Sequence, residues 1–190
     1  MQRVSVIGVP GAGKSTFSRA LGAAIGVPTV ELDSVYHQPG WTHPDVDGFR
    51  STVGEIVAGD GWVVDGNYSD VRDLVWARAD TIIWLDLPRL VATGRVLRRT
   101  LRRVATREEL WNGNREHWTN LLRRDPEQNI VLWSWTRHAV YRDRYSAAMV
   151  DPALDHVQRI RLRTDDQVPL LLREVGSRSE RGPTLEVAGT

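Results

Sequence analysis

The stretch Gly8-Val9-Pro10-Gly11-Ala12-Gly13-Lys14-Ser15, followed by Thr16, decides how the rest of this chain is read. It has glycine at its first and sixth positions and a Lys-Ser pair at the seventh and eighth, the spacing of a phosphate-binding loop. Context makes the match specific. Val4 to Val9 read as a buried strand, and from Ser15 to Ile25 the residues Phe17, Leu21, Ala24 and Ile25 recur at helical spacing, with Gly26 placed to end the helix. In a strand-turn-helix of this kind the glycines let successive backbone N–H groups converge on phosphate oxygens, together with the positive end of the new helix. Gly8, Pro10, Gly11, Ala12 and Gly13 are therefore expected to form the cradle of ATP or GTP. Lys14 is expected to reach the β- and γ-phosphates, Ser15 to offer its hydroxyl to Mg2+, and Thr16 to touch the α-phosphate.

The composition sharpens this reading. Of 25 basic residues, 24 are arginine, and the only lysine is Lys14. A chain that uses arginine everywhere else keeps lysine at the one position where a compact, flexible ammonium is required and a planar guanidinium would not fit. Against 24 acidic residues the formal net charge is +1, so the whole-molecule field offers no general attraction to nucleic acid or anionic lipid. Cysteine is absent, which excludes disulfides, thiolate metal sites and a cysteine nucleophile. No run of about 18 apolar residues is present to cross a membrane, and the loop begins at Gly8 with no room for a targeting segment ahead of it. A cytoplasmic location is expected.

Outward from the loop, apolar runs and polar segments alternate as in β-α units stacked on a parallel sheet. Strands are expected at Thr29 to Leu32, Trp62 to Asp65, Thr81 to Leu85 and His156 to Leu162, and helices around Phe49 to Val57, Val71 to Ala77 and Val168 to Val175. Pro88 opens a long helix, about Arg89 to Val104, that carries Arg89, Arg95, Arg98, Arg99, Arg102 and Arg103 and no acidic residue. Positions four apart share a face, so Arg95, Arg99 and Arg103 are expected to line a cleft while Arg98 and Arg102 point elsewhere. A polar insert follows, at about residues 104–130, with a turn at Asn112 and Gly113; it reads as a helical lid. Residues 1–175 thus form one domain, and 176–190, polar and without apolar period, are expected to be a disordered tail.

With the phosphate loop, the segment Val63-Val64-Asp65-Gly66-Asn67-Tyr68, and Leu85-Asp86-Leu87-Pro88 followed by arginines, the chain resembles the adenylate-kinase-like branch of P-loop kinases. The likeness is nearest to small bacterial proteins described as adenylate-kinase-like or as DNA topology modulation proteins. The resemblance implies an α/β P-loop NTPase fold, a five-stranded parallel sheet of order 2-3-1-4-5 with helices on both faces and a lid. It implies Asp65 as the carboxylate that serves Mg2+ through water, with Asp86 as the competing choice, and Arg95 and Arg99 as the residues that meet the base and the transferring phosphoryl group. One departure matters: the family's Asp-Gly-Phe-Pro-Arg segment is here Asp65-Gly66-Asn67-Tyr68-Ser69, with the next arginine at Arg72, which argues against AMP as acceptor.

Asp33, just after strand two, stands where kinases of hydroxyl-bearing metabolites place a carboxylate that contacts the acceptor. A hydroxyl must lose its proton as it attacks, whereas a nucleoside monophosphate is already ionised and needs arginines instead. Asp33 argues for the first; Arg50 and Arg72 argue for an anionic group on the acceptor. Tyr36, His37, Trp41 and His43, around a Pro39-Gly40 turn, are candidates for an aromatic acceptor wall, and Trp111 and Trp118 for substrate contact from the lid. The partners expected are a nucleotide and a small-molecule acceptor. A nucleotide-dependent regulator associated with nucleic acid, and a plain NTP hydrolase, are the competing readings.

Overall fold

The computed structural model describes residues 1–66, 68–115, 118–126 and 129–180. Residues 181–190, the greater part of the expected tail, lie outside that range.

Five parallel strands form one sheet in the order β2-β3-β1-β4-β5: β1 Arg3–Gly8, β2 Thr29–Glu31, β3 Trp62–Asp65, β4 Thr81–Leu85 and β5 Gln158–Leu162. This is the predicted order. β3 and β4 are buried at every position, as strands covered on both faces must be. Side-chain alternation divides the sheet residues between two cores. Val4, Val6, Val63, Ile83 and Leu85 pack with Phe17 and Leu21 of helix α1 (Lys14–Ile25) and Val175 of α7 (Gln167–Glu180). Ile7, Val64, Ile82 and Trp84 pack on the opposite face, with Phe49 and Val53 of α3 (Val46–Val57), Val71 and Val75 of α4 (Ser69–Arg78), and Tyr145 of α6 (Ile130–Ala148). A short helix, α2 (Leu32–Tyr36), follows β2, and the arginine helix is α5 (Arg89–Thr106).

All five strands end at the same edge, so the loops that leave β1, β2, β3 and β4 meet there. The chain also changes direction at that edge, running from β1 out to β2 and β3 on one side and to β4 and β5 on the other, which opens the crevice where ligands bind in sheets of this kind.

One expectation, the end of the last helix, is corrected. The insert between α5 and α6 carries short 3-10 helices at Trp111–Gly113 and Trp118–Leu122 among the described residues, and Asn112 and Gly113 both take left-handed backbone angles. The last helix does not stop at Gly176 but runs to Glu180. One glycine costs a helix about 1 kcal/mol, too little to end one whose preceding turn is anchored by buried Val175.

Candidate functional site

The phosphate loop turns from β1 into α1 with Gly11 at φ 81° and Gly13 at φ 89°. A Cβ on Gly11 would lie 2.1 Å from the carbonyl oxygen of Ala92 in α5, so the loop sits directly on that helix and glycine is obligatory. Gly13 occupies the N-cap of α1 and offers no side-chain acceptor, which leaves the first N–H groups of the helix to a ligand. From below, Ser134 of α6 donates its hydroxyl to the Pro10 carbonyl at 3.3 Å. Lys14 Nζ donates to the Val9 carbonyl at 3.3 Å, folded across the loop whose phosphates it is expected to neutralise.

At the end of β3, Asp65 is 5% exposed and accepts a hydrogen bond of 2.6 Å from Ser15 Oγ through Oδ2. Its other oxygen, Oδ1, is buried without a hydrogen-bond partner among the described residues. Burial pushes the Asp65 carboxyl above its ordinary pKa; the Lys14 ammonium and the Ser15 hydroxyl oppose that, while the carboxylates of Asp33 and Glu31 add to it. A hydroxyl and an orphaned carboxylate oxygen, side by side and facing an ammonium, are hard oxygen donors of the kind Mg2+ takes. The competing carboxylate is occupied elsewhere: Asp86 is held by Arg161 of β5, with Nη2 at 2.6 Å and Nε at 3.0 Å, and by Arg142 of α6 at 3.5 Å. The geometry therefore favours Asp65.

The arginine helix presents the expected faces. Arg95, Arg99 and Arg103 are half-buried, and Arg98 and Arg102 are exposed. Arg95 lies beside the cradle, its Nη1 being 3.9 Å from the position a Gly13 Cβ would take, and pairs through Nη2 with Asp165 in the β5–α7 loop at 2.5 Å. Arg99 lies one turn further along the same face.

Across the crevice, Asp33 accepts a hydrogen bond of 2.8 Å from the Tyr68 hydroxyl. Glu31, not Asp33, is the N-cap residue of α2, so the Asp33 side chain is not spent on capping. Burial, with Asp33 beside it, pushes the Tyr68 hydroxyl far above its ordinary pKa, so it stays protonated and remains a donor. His37 Nε2 lies 3.5 Å from the same hydroxyl; burial lowers its pKa against the pull of Asp33, which keeps the imidazole neutral near pH 7. The aromatic wall assembles as expected: Tyr36 stacks on His43 at 4.4 Å and tilts against Tyr68 at 4.5 Å, and His37 meets Trp41 edge-on at 5.2 Å. Arg72 is half-buried, its guanidinium 5.4 Å from the centre of the Trp76 ring, and it lines one small cavity with Tyr68, Gly66 and Leu32.

Arg50 is placed differently from the expectation. It forms a two-pronged ion pair with Asp73 of α4, both contacts at 2.8 Å, and also donates to the Asp70 carbonyl. Its anion is supplied by the protein, and it fastens α3 to α4. Sequence reasoning gave no role to Tyr68, Glu31, Ser134 or Asn114, all of which support the site. Tyr68 had a signal, since it sits three residues beyond Asp65; Glu31, Ser134 and Asn114 have partners that include Trp111, Pro10 and Trp41, which lie 80, 124 and 73 residues away in the chain.

No protein-family model matches the chain, and no curated protein sequence matches it. Solved structures do. A gluconokinase from Sinorhizobium meliloti superposes with a TM-score of 0.50 at 19% identity, over 95% of this chain and 92% of that one. A shikimate kinase from Acinetobacter baumannii, in complex with shikimate, gives 0.50 at 16% identity over 94% of each chain. A shikimate kinase from Bacteroides thetaiotaomicron gives 0.53 at 13% identity, over 94% of this chain and 98% of that one. The fold is that of the P-loop kinases. At such identities the likeness carries the architecture, and it does not assign the adenylate-kinase-like branch.

Proposed function

We propose that this protein is a magnesium-dependent small-molecule kinase that moves the γ-phosphoryl group of ATP, or of GTP, to a hydroxyl group of a small acceptor. The observation that carries the reading is the Asp33 carboxylate, held by the protonated Tyr68 hydroxyl at 2.8 Å across the crevice from the phosphate loop. Mg2+, held by Ser15 and Asp65, would draw negative charge from the β- and γ-phosphates.

The chain's own groups supply the rest. The loop N–H groups and Lys14 bind the phosphates, and Arg95 and Arg99 stabilise charge on the phosphoryl group in transit. Asp33 accepts the proton of the acceptor hydroxyl as that oxygen bonds to phosphorus and the bond from phosphorus to the β-phosphate oxygen breaks. Arg72 remains the candidate for an anionic group on the acceptor, whereas Arg50 does not. With one arginine on that side and not two, a nucleoside monophosphate is the weaker acceptor reading.

The test is a phosphorylation screen of a metabolite pool with labelled ATP and a parallel measurement of phosphate release. Label transferred only when an acceptor is present supports the proposal. Phosphate release at the same rate with and without the pool would replace it with a hydrolase.

A further inference from the structure

Two loops of unusual conformation face one another at the mouth of the crevice. In the first, Pro39-Gly40-Trp41, both Gly40 (φ 71°) and Trp41 (φ 59°) are left-handed; in the second, Trp111-Asn112-Gly113 of the lid, so are Asn112 (φ 57°) and Gly113 (φ 78°). They share one hydrogen-bond pattern, since Gln38 N donates to Thr42 O at 2.9 Å and Leu110 N to Asn114 O at 2.7 Å. Left-handed angles at a residue as bulky as tryptophan are costly and persist only where the surroundings enforce them.

The enforcing contact is a single buried side chain from the other loop. Asn114, 4% exposed, accepts from the Trp41 amide through Oδ1 at 3.0 Å and donates through Nδ2 to the Gln38 carbonyl at 3.0 Å. Asn112 adds donations to the carbonyls of Ser34, at 3.1 Å, and His37, at 2.6 Å. Trp111 stacks on His37 at 5.8 Å and points its indole N–H at Glu31, at 3.4 Å. Glu31 is itself held by Arg19 of α1. These contacts all run from the lid to the segment 31–42 that carries Asp33 and the aromatic wall.

We infer that Asn114 is a positioning residue of the acceptor site: it locks the strained turn at Trp41 to the lid, so that the lid and the aromatic wall move as one body. The inference rests on the reading of the Asp33 side as the acceptor site.

Amide hydrogen exchange on the unliganded full-length protein, wild type against Asn114→Ala and Asn114→Asp, tests the lock. Asn114→Ala should speed exchange at Trp41 by at least about tenfold, the release of strain of the size expected at such a residue. Asn114→Asp keeps the Oδ1 acceptor and should preserve Trp41 protection while losing the bond to Gln38. In a Trp41→Gly background, where left-handed angles cost little, the effect of Asn114→Ala should shrink. Unchanged exchange at Trp41 in Asn114→Ala would overturn the lock. With the acceptor from the screen, Asn114→Ala should raise the acceptor KM by about tenfold and leave the ATP KM unchanged. Faster exchange with an unaltered acceptor KM would reduce Asn114 to a structural residue and overturn the positioning role. Should the screen find no acceptor, the kinase proposal fails, and the exchange data still decide the lock.

Discussion

Ser15 Oγ donates to Asp65 Oδ2 at 2.6 Å, joining the first turn of α1 to the end of β3 across 50 residues of chain. The bond brings together the two oxygen donors that the sequence nominates for Mg2+, and it leaves Asp65 Oδ1 buried without a hydrogen-bond partner among the described residues. A carboxylate kept in this state costs stability, which is the usual signature of a group retained for function.

The first prediction follows from the sign of that cost. Burial raises the folded-state pKa of Asp65 above its ordinary value near 3.8, so the stability it contributes is present below that value and is lost as pH rises through the folded pKa. Above that point the ionised group works against the fold. Asp65→Asn should therefore raise the melting temperature at pH 7, by roughly 2–4 °C for each kcal/mol relieved, and the gap from wild type should narrow as pH falls toward 4. The same variant should lose Mg2+-dependent activity. Thermal melts at two pH values decide it: a lower melting temperature at pH 7 would show that Asp65 stabilises the fold and undo the argument.

Lys14→Ala should remove most nucleotide-dependent activity and leave the melting temperature within about 1 °C, because a lysine whose ammonium donates to the Val9 carbonyl at the surface of the loop holds no core together. Lys14→Arg should be almost as damaging, since the guanidinium is too wide for the cradle. Turnover of either variant at the wild-type rate would remove the phosphate-loop assignment.

Within the loop, the two left-handed glycines should respond unequally. Gly11→Ala forces a Cβ to 2.1 Å from the Ala92 carbonyl and to 2.8 Å from Val96 Cγ2, so the loop must lift off α5; at Gly13 the nearest atom is Arg95 Nη1 at 3.9 Å, and only the backbone angle resists. Gly11→Ala should cost several-fold more in unfolding free energy than the ~1–2 kcal/mol expected of Gly13→Ala. Urea titration of both variants measures the difference, and equal losses would contradict the packing described.

Much of this was legible in the sequence for identifiable reasons. The continuous apolar run of β4 and the strand-turn-helix around Lys14 are local signals, and the four-residue spacing of Arg95, Arg99 and Arg103 is itself a helix-face signal. What escaped depends on contacts between distant segments. Arg50 finds Asp73 on a neighbouring helix, an ion pair with no sequence signature. Asn114 acts on backbone atoms 73 and 76 residues away, and an asparagine next to Gly113 reads from sequence only as a turn former.

The last prediction separates the acceptor types. If Asp33 takes the proton of an attacking hydroxyl, Asp33→Asn should leave ATP affinity nearly unchanged and lower the transfer rate by roughly 10²- to 10⁴-fold, the range of a lost general base. Tyr68→Phe removes the donor that orients the carboxylate but not the base itself, so its loss should be smaller, about tenfold, in kcat. Were the acceptor an ionised phosphate, no base would be needed: Asp33→Asn would change transfer little, and Arg72→Ala would act mainly by raising the acceptor KM. Both sets of variants are to be measured at saturating ATP with the acceptor from the screen. The two mechanisms order them oppositely, because a proton acceptor acts on the chemical step and an anion clamp acts on binding. A near-normal rate in Asp33→Asn, coupled to weakened acceptor binding in Arg72→Ala, would therefore shift the assignment from a hydroxyl to an anionic nucleophile.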